Sequence, residues 1–304
     1  MTDMICPGLP GHWINGWLAA LGITVLAPAL RLHWTDDPEP VAVLSAQDAA
    51  PADVLTDAWP DREFIVGLPV AKNMAGQDAG TLARNVPVED FRKRARAVRR
   101  CAEAWTLTST ITDLYVNKKN EVGHARFDPP VPKGLTLSDR LISTYNSIGD
   151  IRNRSQQIRA SLAGCGKRGK GNGLGFDLAR IGSQADDADR LTDPVIEVLA
   201  FFGLAFLPVR GPGIDMRQGH TSADTNVRQR GWRKATTKPE TSFHWPAWGV
   251  PLDRWAIDAL LDAWRPDKPK TWPLYAVHAG WKTVEYKSRS TNDTTRAYGS
   301  ERIS

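Results

Sequence analysis

Two apolar phrases of one grammar stand far apart in this 304-residue chain, "NGWLAALGITVLAP" at 15–28 and "VIEVLAFFGLAFLP" at 195–208. Both fit L-A-x-x-G-[IL]-x-x-L, with Leu18, Ala19, Gly22 and Leu26 answered by Leu199, Ala200, Gly203 and Leu207. Segments this apolar must lie inside a core. Gly22 and Pro28 interrupt the first phrase short of the roughly 18 residues that a membrane span requires. The grammar predicts two buried helices, each stopped by its glycine and followed by a strand, with Gly22 well suited to a left-handed closing position. The match either marks two related halves or reflects packing grammar that recurs by coincidence. A hydrophobic content of 41% at this length is enough for one large or two modest domains.

Around these anchors the chain divides by periodicity. Ile14, Trp17, Leu18 and Leu21 recur at spacings of three and four and define the inner face of the first helix. "ITVL", "LRLHW" and "PVAVLSA" follow as strands, giving an opening unit of a helix and a short antiparallel sheet. Residues 87–105, "PVEDFRKRARAVRRCAEAW", form the clearest amphipathic helix. Pro87, Glu89 and Asp90 suit its start, and Phe91, Ala95, Val98 and Trp105 form the apolar stripe. Arg92, Lys93, Arg96, Arg99 and Arg100 occupy the rest, with almost no carboxylates four residues away to pair them. Residues 106–127 alternate about the turn "NKKN", a hairpin with Lys118 and Lys119 at its tip. Residues 138–163 read as helical, 209–242 as a long loop or mobile hairpin, and Leu252–Trp264 as the closing helix. The lack of regular strand–helix alternation favours an α+β fold, antiparallel sheets with flanking helices and long basic loops. The expected parts are 1–135, 136–285 and a flexible polar tail at 286–304.

Charge is distributed unevenly. The chain carries a formal +5, but residues 151–240 hold fifteen Lys and Arg against nine Asp and Glu, while the remainder has 24 against 25. Regional basicity of this kind is either a footprint for a polyanion or an ordinary solvated surface. Its densest parts are "GCGKRGKGNGLGFD" at 164–177 and "VRQRGWRK" at 227–234. The first approaches two nucleotide-loop spacings through Gly164, Gly166, Gly169 and Lys170. A phosphate-binding P-loop would need a hydroxyl residue after the lysine, where Gly171 stands, and an apolar strand before the loop, where a polar helix stands. The plainer reading is a loop presenting Lys167, Arg168 and Lys170. In the second cluster Arg228, Arg230, Arg233 and Lys234 surround Trp232, which either stacks on bases or anchors the loop to the domain. Arg210 and Arg217 flank it in sequence.

Other chemistries find little purchase. Cys6, Cys101 and Cys165 are odd in number and form no C-x-x-C pair, against a disulfide framework or a structural zinc site and in keeping with a reducing cytoplasm. The six histidines stand apart from one another at no metal-binding spacing, and G-x-S-x-G is missing. Asp186 and Asp187 read as a cap and turn. The expectation is a non-catalytic protein with no cofactor, no metal and no membrane span. A metal-dependent nuclease or nucleotide-processing enzyme, whose site converges only on folding, and a protein-binding scaffold stay open as alternatives.

The segment "GLGFDLARIGSQADDADRLTDPVIEVLAFFGLAFLPVRG" followed by "FHWPAWGVPLDRWAIDALL", together with the opening "GLPGHWINGWLAALGITVL", resembles protein subunits of type I CRISPR-Cas effector complexes, the I-U or I-G subtype in particular. The resemblance covers about half of the chain and rests on helix and turn grammar. It implies an RNA-binding or DNA-binding part of a multi-subunit antiviral surveillance complex (Cascade), partnered by guide RNA, target DNA and other subunits. In such complexes base pairing reads sequence and protein holds backbones.

Overall fold

The computed structural model describes residues 1–68, 87–97, 111–116, 119–124, 137–149, 154–170, 191–210, 228–234, 241–287 and 296–303. In chain order the strands are β1 (Thr2–Pro10), β2 (Arg31–Trp34), β3 (Val41–Ala46), β4 (Ile111–Val116), β5 (Val122–His124), β6 (Gly169–Lys170), β7 (Leu191–Thr192), β8 (Val209–Arg210), β9 (Arg228–Gln229), β10 (Trp232–Lys234), β11 (Thr241–Trp248), β12 (Val277–Lys287) and β13 (Arg296–Arg302). The helices are α1 (Ile14–Leu26), α2 (Pro51–Asp57), α3 (Arg62–Gly67), α4 (Val88–Ala97), α5 (Leu137–Ser147), α6 (Arg154–Leu162), α7 (Pro194–Gly203) and α8 (Arg254–Ala263). Among the described residues every strand pairing is antiparallel, in a three-stranded sheet ordered β1-β3-β2, a four-stranded sheet ordered β10-β11-β12-β13, and three two-stranded ribbons. The fold is α+β, as the lack of strand–helix alternation suggests.

The two apolar phrases pack against each other as α1 and α7. The Cβ position of Gly22 lies 1.8 Å from the Leu199 carbonyl oxygen, and that of Gly203 lies 2.0 Å from the Leu18 carbonyl oxygen. The same two positions of the shared pattern thus meet reciprocally across the crossing. Gly22 does not close its helix: α1 runs through it to Leu26, so "ITVL" is helical and not a strand. The glycine is needed for close approach of two backbones, where a period reading assigns it to a turn. Gly203 does end α7, and a 3₁₀ turn over Leu204–Phe206 follows. Within this apolar crossing Asn15 Nδ2 donates to Glu197 Oε1 at 3.1 Å, and both residues are buried.

Tryptophans fasten the second sheet to α1, to the turn before it and to β2. Trp17 Nε1 donates to the Pro246 carbonyl, Trp245 Nε1 to that of Gly11 and Trp248 Nε1 to that of Leu32, each at 2.8–2.9 Å. The rings of Trp245 stack on Phe243 and Trp281, and Trp34 meets Trp248 edge to face. A buried indole whose N–H finds a carbonyl contributes area and direction together. One core therefore spans residues assigned by sequence to separate N- and C-terminal parts. The C-terminal stretch expected to be a flexible tail contributes β13, which pairs with β12 from Trp281↔Arg302 to Lys287↔Arg296. No helix among the described residues is long and apolar enough to cross a membrane.

Burial separates the thiols. Cys6 is fully buried in β1 and its pKa is pushed up to about 12 by desolvation, whereas Cys165 is exposed. Since the thiolate is the reactive form, alkylation of the native protein at pH 8 followed by peptide mass mapping will modify Cys165 and leave Cys6 unmodified until denaturant is added. Equal labelling of the two in the native state would contradict this packing of β1.

Candidate nucleic-acid interface

The cationic segments fall into three groups on different elements. The first joins α4 to the β4–β5 hairpin. Val88 and Phe91 of α4 are buried, as is Val122 of β5, and the Val88 N–H donates to the Asn120 carbonyl at 3.1 Å. Asn120 takes a left-handed φ of 61°, a conformation asparagine tolerates in tight turns. Pro87 and Glu121 form a bridge beside it. This brings the hairpin tip, with exposed Lys119, to the start of the basic helix, where Arg92, Lys93 and Arg96 are exposed. Arg92 pairs with Glu89 at 3.2 Å, an exposed i,i+3 pair of the kind that contributes little. Arg99, Arg100 and Lys118 lie outside the described residues.

The second group is the glycine loop, and its geometry rules out a phosphate cradle at its start. Gly164, with φ of 80°, terminates α6 in a Schellman arrangement: Cys165 N–H donates to the Ala160 carbonyl and Gly164 N–H to that of Ser161. The loop therefore leaves the C-terminal, electronegative end of a helix with its first amides already used, the reverse of an anion-binding N-terminus. Beyond it the Cβ position of Gly166 lies 1.9 Å from Asp193 Oδ2, so a side chain there would displace the α7 cap. Asp193 Oδ1 accepts from the Val195 and Ile196 N–H groups and from Ser161 Oγ. Burial pushes the Asp193 carboxyl above its ordinary range, against the pull of those donors and of Arg168. Lys167 and Arg168 are exposed, and Lys170 pairs in β6 with Leu191 of β7.

The third group is the β8–β9 ribbon and the edge of the four-stranded sheet. Register sets Arg210 directly opposite Arg228. Arg233 faces Ser242 of β11, and His244, two residues on, faces Lys282 of β12. Ser242 Oγ and His244 Nε2 are 2.7 Å apart, and Lys282 pairs with Glu301 at 3.2 Å. Lys234 continues β10 opposite Thr241. Arg217 lies outside the described residues.

One member of the sequence-assigned cluster has another duty. Arg230 is buried, with 5% of its side chain exposed. It donates to Asp258 at 2.6 Å, to Asp262 at 2.8 and 3.0 Å, and to the Phe206 carbonyl at 2.8 Å. It rivets the β9–β10 turn to α8 and to the end of α7 and is not offered to a polyanion. Trp232 sits opposite Phe243 in the register of β10 with β11. Composition marks a basic segment, but only the contacts of the β9–β10 turn with α8 and the end of α7 show that Arg230 is held inside.

Sequence reasoning passed over Arg62 and Arg154, which lie far apart in the chain and in no basic run. The fold brings both to one pocket. No group of three or more metal-ligating side chains occurs among the described residues. The chain matches no family model, no curated protein and no solved structure.

Proposed function

We propose that this protein is a non-catalytic nucleic-acid-binding subunit of a multi-subunit RNA-guided antiviral complex of the type I CRISPR class, working in the cytoplasm and gripping the backbone of guide RNA or target DNA. The observation that carries the binding reading is the docking of the hairpin tip onto α4. It gathers Arg92, Lys93, Arg96 and Lys119 on one exposed unit. A second element sets Arg210 and Arg228 at paired backbone positions. The assignment to a CRISPR effector rests on the resemblance of the quoted segments alone. A short RNA of uniform length co-purifying with partner proteins supports it, and assembly with protein partners free of nucleic acid favours the scaffold reading.

Binding through phosphates releases counterions, so affinity falls as a power of salt concentration, with about 0.7 in the log–log slope per single-strand phosphate contact. Replacing Lys93, Arg96 and Lys119 with Gln together will make the slope for a single-stranded oligonucleotide shallower by roughly 2. The three side chains are exposed, so the fold is retained. Wild-type slope in the triple variant would remove this surface from the interface. Arg230 is left out of such a test because its guanidinium is already held inside the fold by Asp258, Asp262 and the Phe206 carbonyl.

A further inference from the structure

We propose that the pocket between α3, α5 and the start of α6 is a binding site for a phosphate monoester, as carried by a free mononucleotide or by the terminal phosphate of a nucleic-acid strand. The cavity has a volume of about 270 Å³ and is lined by Arg62, Arg154, Asn146, Tyr145, Trp59 and Ile148, with Gly149 at its rim. That is close to the lower bound of small-ligand pockets, roughly 300 Å³, a size suited to one nucleotide and too small for a dinucleotide.

The charge balance identifies the ligand class. Two guanidinium groups reach this pocket, and no carboxylate is among the described residues that line it. Arg62 Nε donates to Asn146 Oδ1 at 3.4 Å, a long contact, and neither arginine is in an ion pair among the described residues. Asp61, whose charge also reaches the Tyr145 phenol, is turned to cap α3, where its Oδ1 accepts from the Phe64 N–H at 2.7 Å. By contrast Arg159, one helical turn beyond Arg154 on α6, is paired with Asp53. Two unopposed guanidiniums offer forked donor sets that match phosphate oxygens, and their combined charge suits a dianion better than a diester's single charge.

The floor is prepared as well. Trp59 is 5% exposed, and the Tyr145 hydroxyl donates to the Pro60 carbonyl at 2.7 Å, which fixes the phenol between the linker before α3 and the end of α5. Both arginines lie near enough for their fields to act on that phenol, lowering its pKa against the stronger effect of burial. Asn146 Nδ2 is left to donate to the ligand while its Oδ1 receives Arg62. The pocket thus combines cationic and amide donors with aromatic and aliphatic lining side chains, a composition suited to a phosphate and the ring attached to it.

This site shares no residue with the α4–hairpin surface, so either can fail without the other. Titration calorimetry at low salt with uridine 5′-monophosphate will give a binding heat in the wild-type protein, and affinity at least ten-fold weaker in the Arg62→Gln, Arg154→Gln double variant. A single-stranded oligonucleotide with a 5′-phosphate will bind ten-fold more tightly than its 5′-hydroxyl twin if the strand end is the source. Equal binding of the two strands together with nucleotide heat assigns the free nucleotide. Absence of nucleotide heat together with equal binding of the two strands overturns the site, and so does retained affinity in a double variant with a wild-type far-UV spectrum. The nucleotide titration and the paired-strand comparison use wild-type protein alone and together decide the matter even where the variant folds poorly.

Discussion

Gly22→Ala will destabilise the protein by about 3 kcal/mol, measured by urea unfolding, although alanine is the better helix former. An alanine replacing glycine at an exposed helical position gains roughly 1 kcal/mol from propensity. Here the new methyl carbon would be built 1.8 Å from the Leu199 carbonyl oxygen and 2.8 Å from the Gly203 nitrogen. The obstacle is helix backbone, which cannot swing aside as a side chain can, so α1 and α7 must separate. Their separation loosens the contacts of Leu18, Leu21, Leu199 and Phe202, all fully buried. Overpacking of a close-packed core costs about 1–3 kcal/mol, and a clash with rigid backbone belongs at the upper end. Because the contact is reciprocal, Gly203→Ala, whose methyl would meet the Leu18 carbonyl at 2.0 Å, will cost about the same. A neutral or stabilising effect at either glycine would show that the crossing is looser than the structure has it.

Arg230→Met will cost about 2 kcal/mol of stability and leave the salt slope of nucleic-acid binding unchanged. Breaking a buried ion pair by removing one partner costs roughly 3–5 kcal/mol when the survivor stays buried. Asp258 and Asp262 keep 46% and 41% of their side chains exposed, so water solvates them once the arginine is gone, and the expected cost is smaller. The remaining penalty comes from the Phe206 carbonyl, which loses its donor at the end of α7, and from the β9–β10 turn, which loses its tie to α8. Methionine keeps most of the aliphatic stem, so packing is largely retained. Urea midpoints and salt-dependent binding on the same variant separate the two roles. A slope that becomes shallower with no loss of stability would return Arg230 to the interface.

These two residues show what sequence periodicity could and could not resolve. The pattern L-A-x-x-G identified both members of the helix pair, because a segment apolar on all faces has nowhere to go but a core. It did not reveal that the two phrases are partners of each other, since their contact lies 181 positions apart in the chain, as the Leu18 and Leu199 numbering shows. The basic helix and the hairpin were legible as local elements, the one from its 3.6-residue stripe and the other from alternation about "NKKN". Their union through Val88 and Asn120 was not. β1 escaped notice because "TDMICPGLP" carries two prolines and no clean alternation. β13 escaped because "RAYGSER" is polar enough to read as tail and is held by its pairing with β12.

The amino-acid sequence by itself determined the apolar segments that must be buried, the α+β class, the regional excess of positive charge and the local elements that carry it. Those are properties of short windows, set by side-chain chemistry and the two backbone periods. Tertiary structure alone decided which cations face outward, which one is spent inside as a rivet, and that Arg62 and Arg154 converge on a common pocket. Such distinctions depend on strand register and on contacts between distant segments, and a one-residue change of register turns every side chain of a strand to its opposite face.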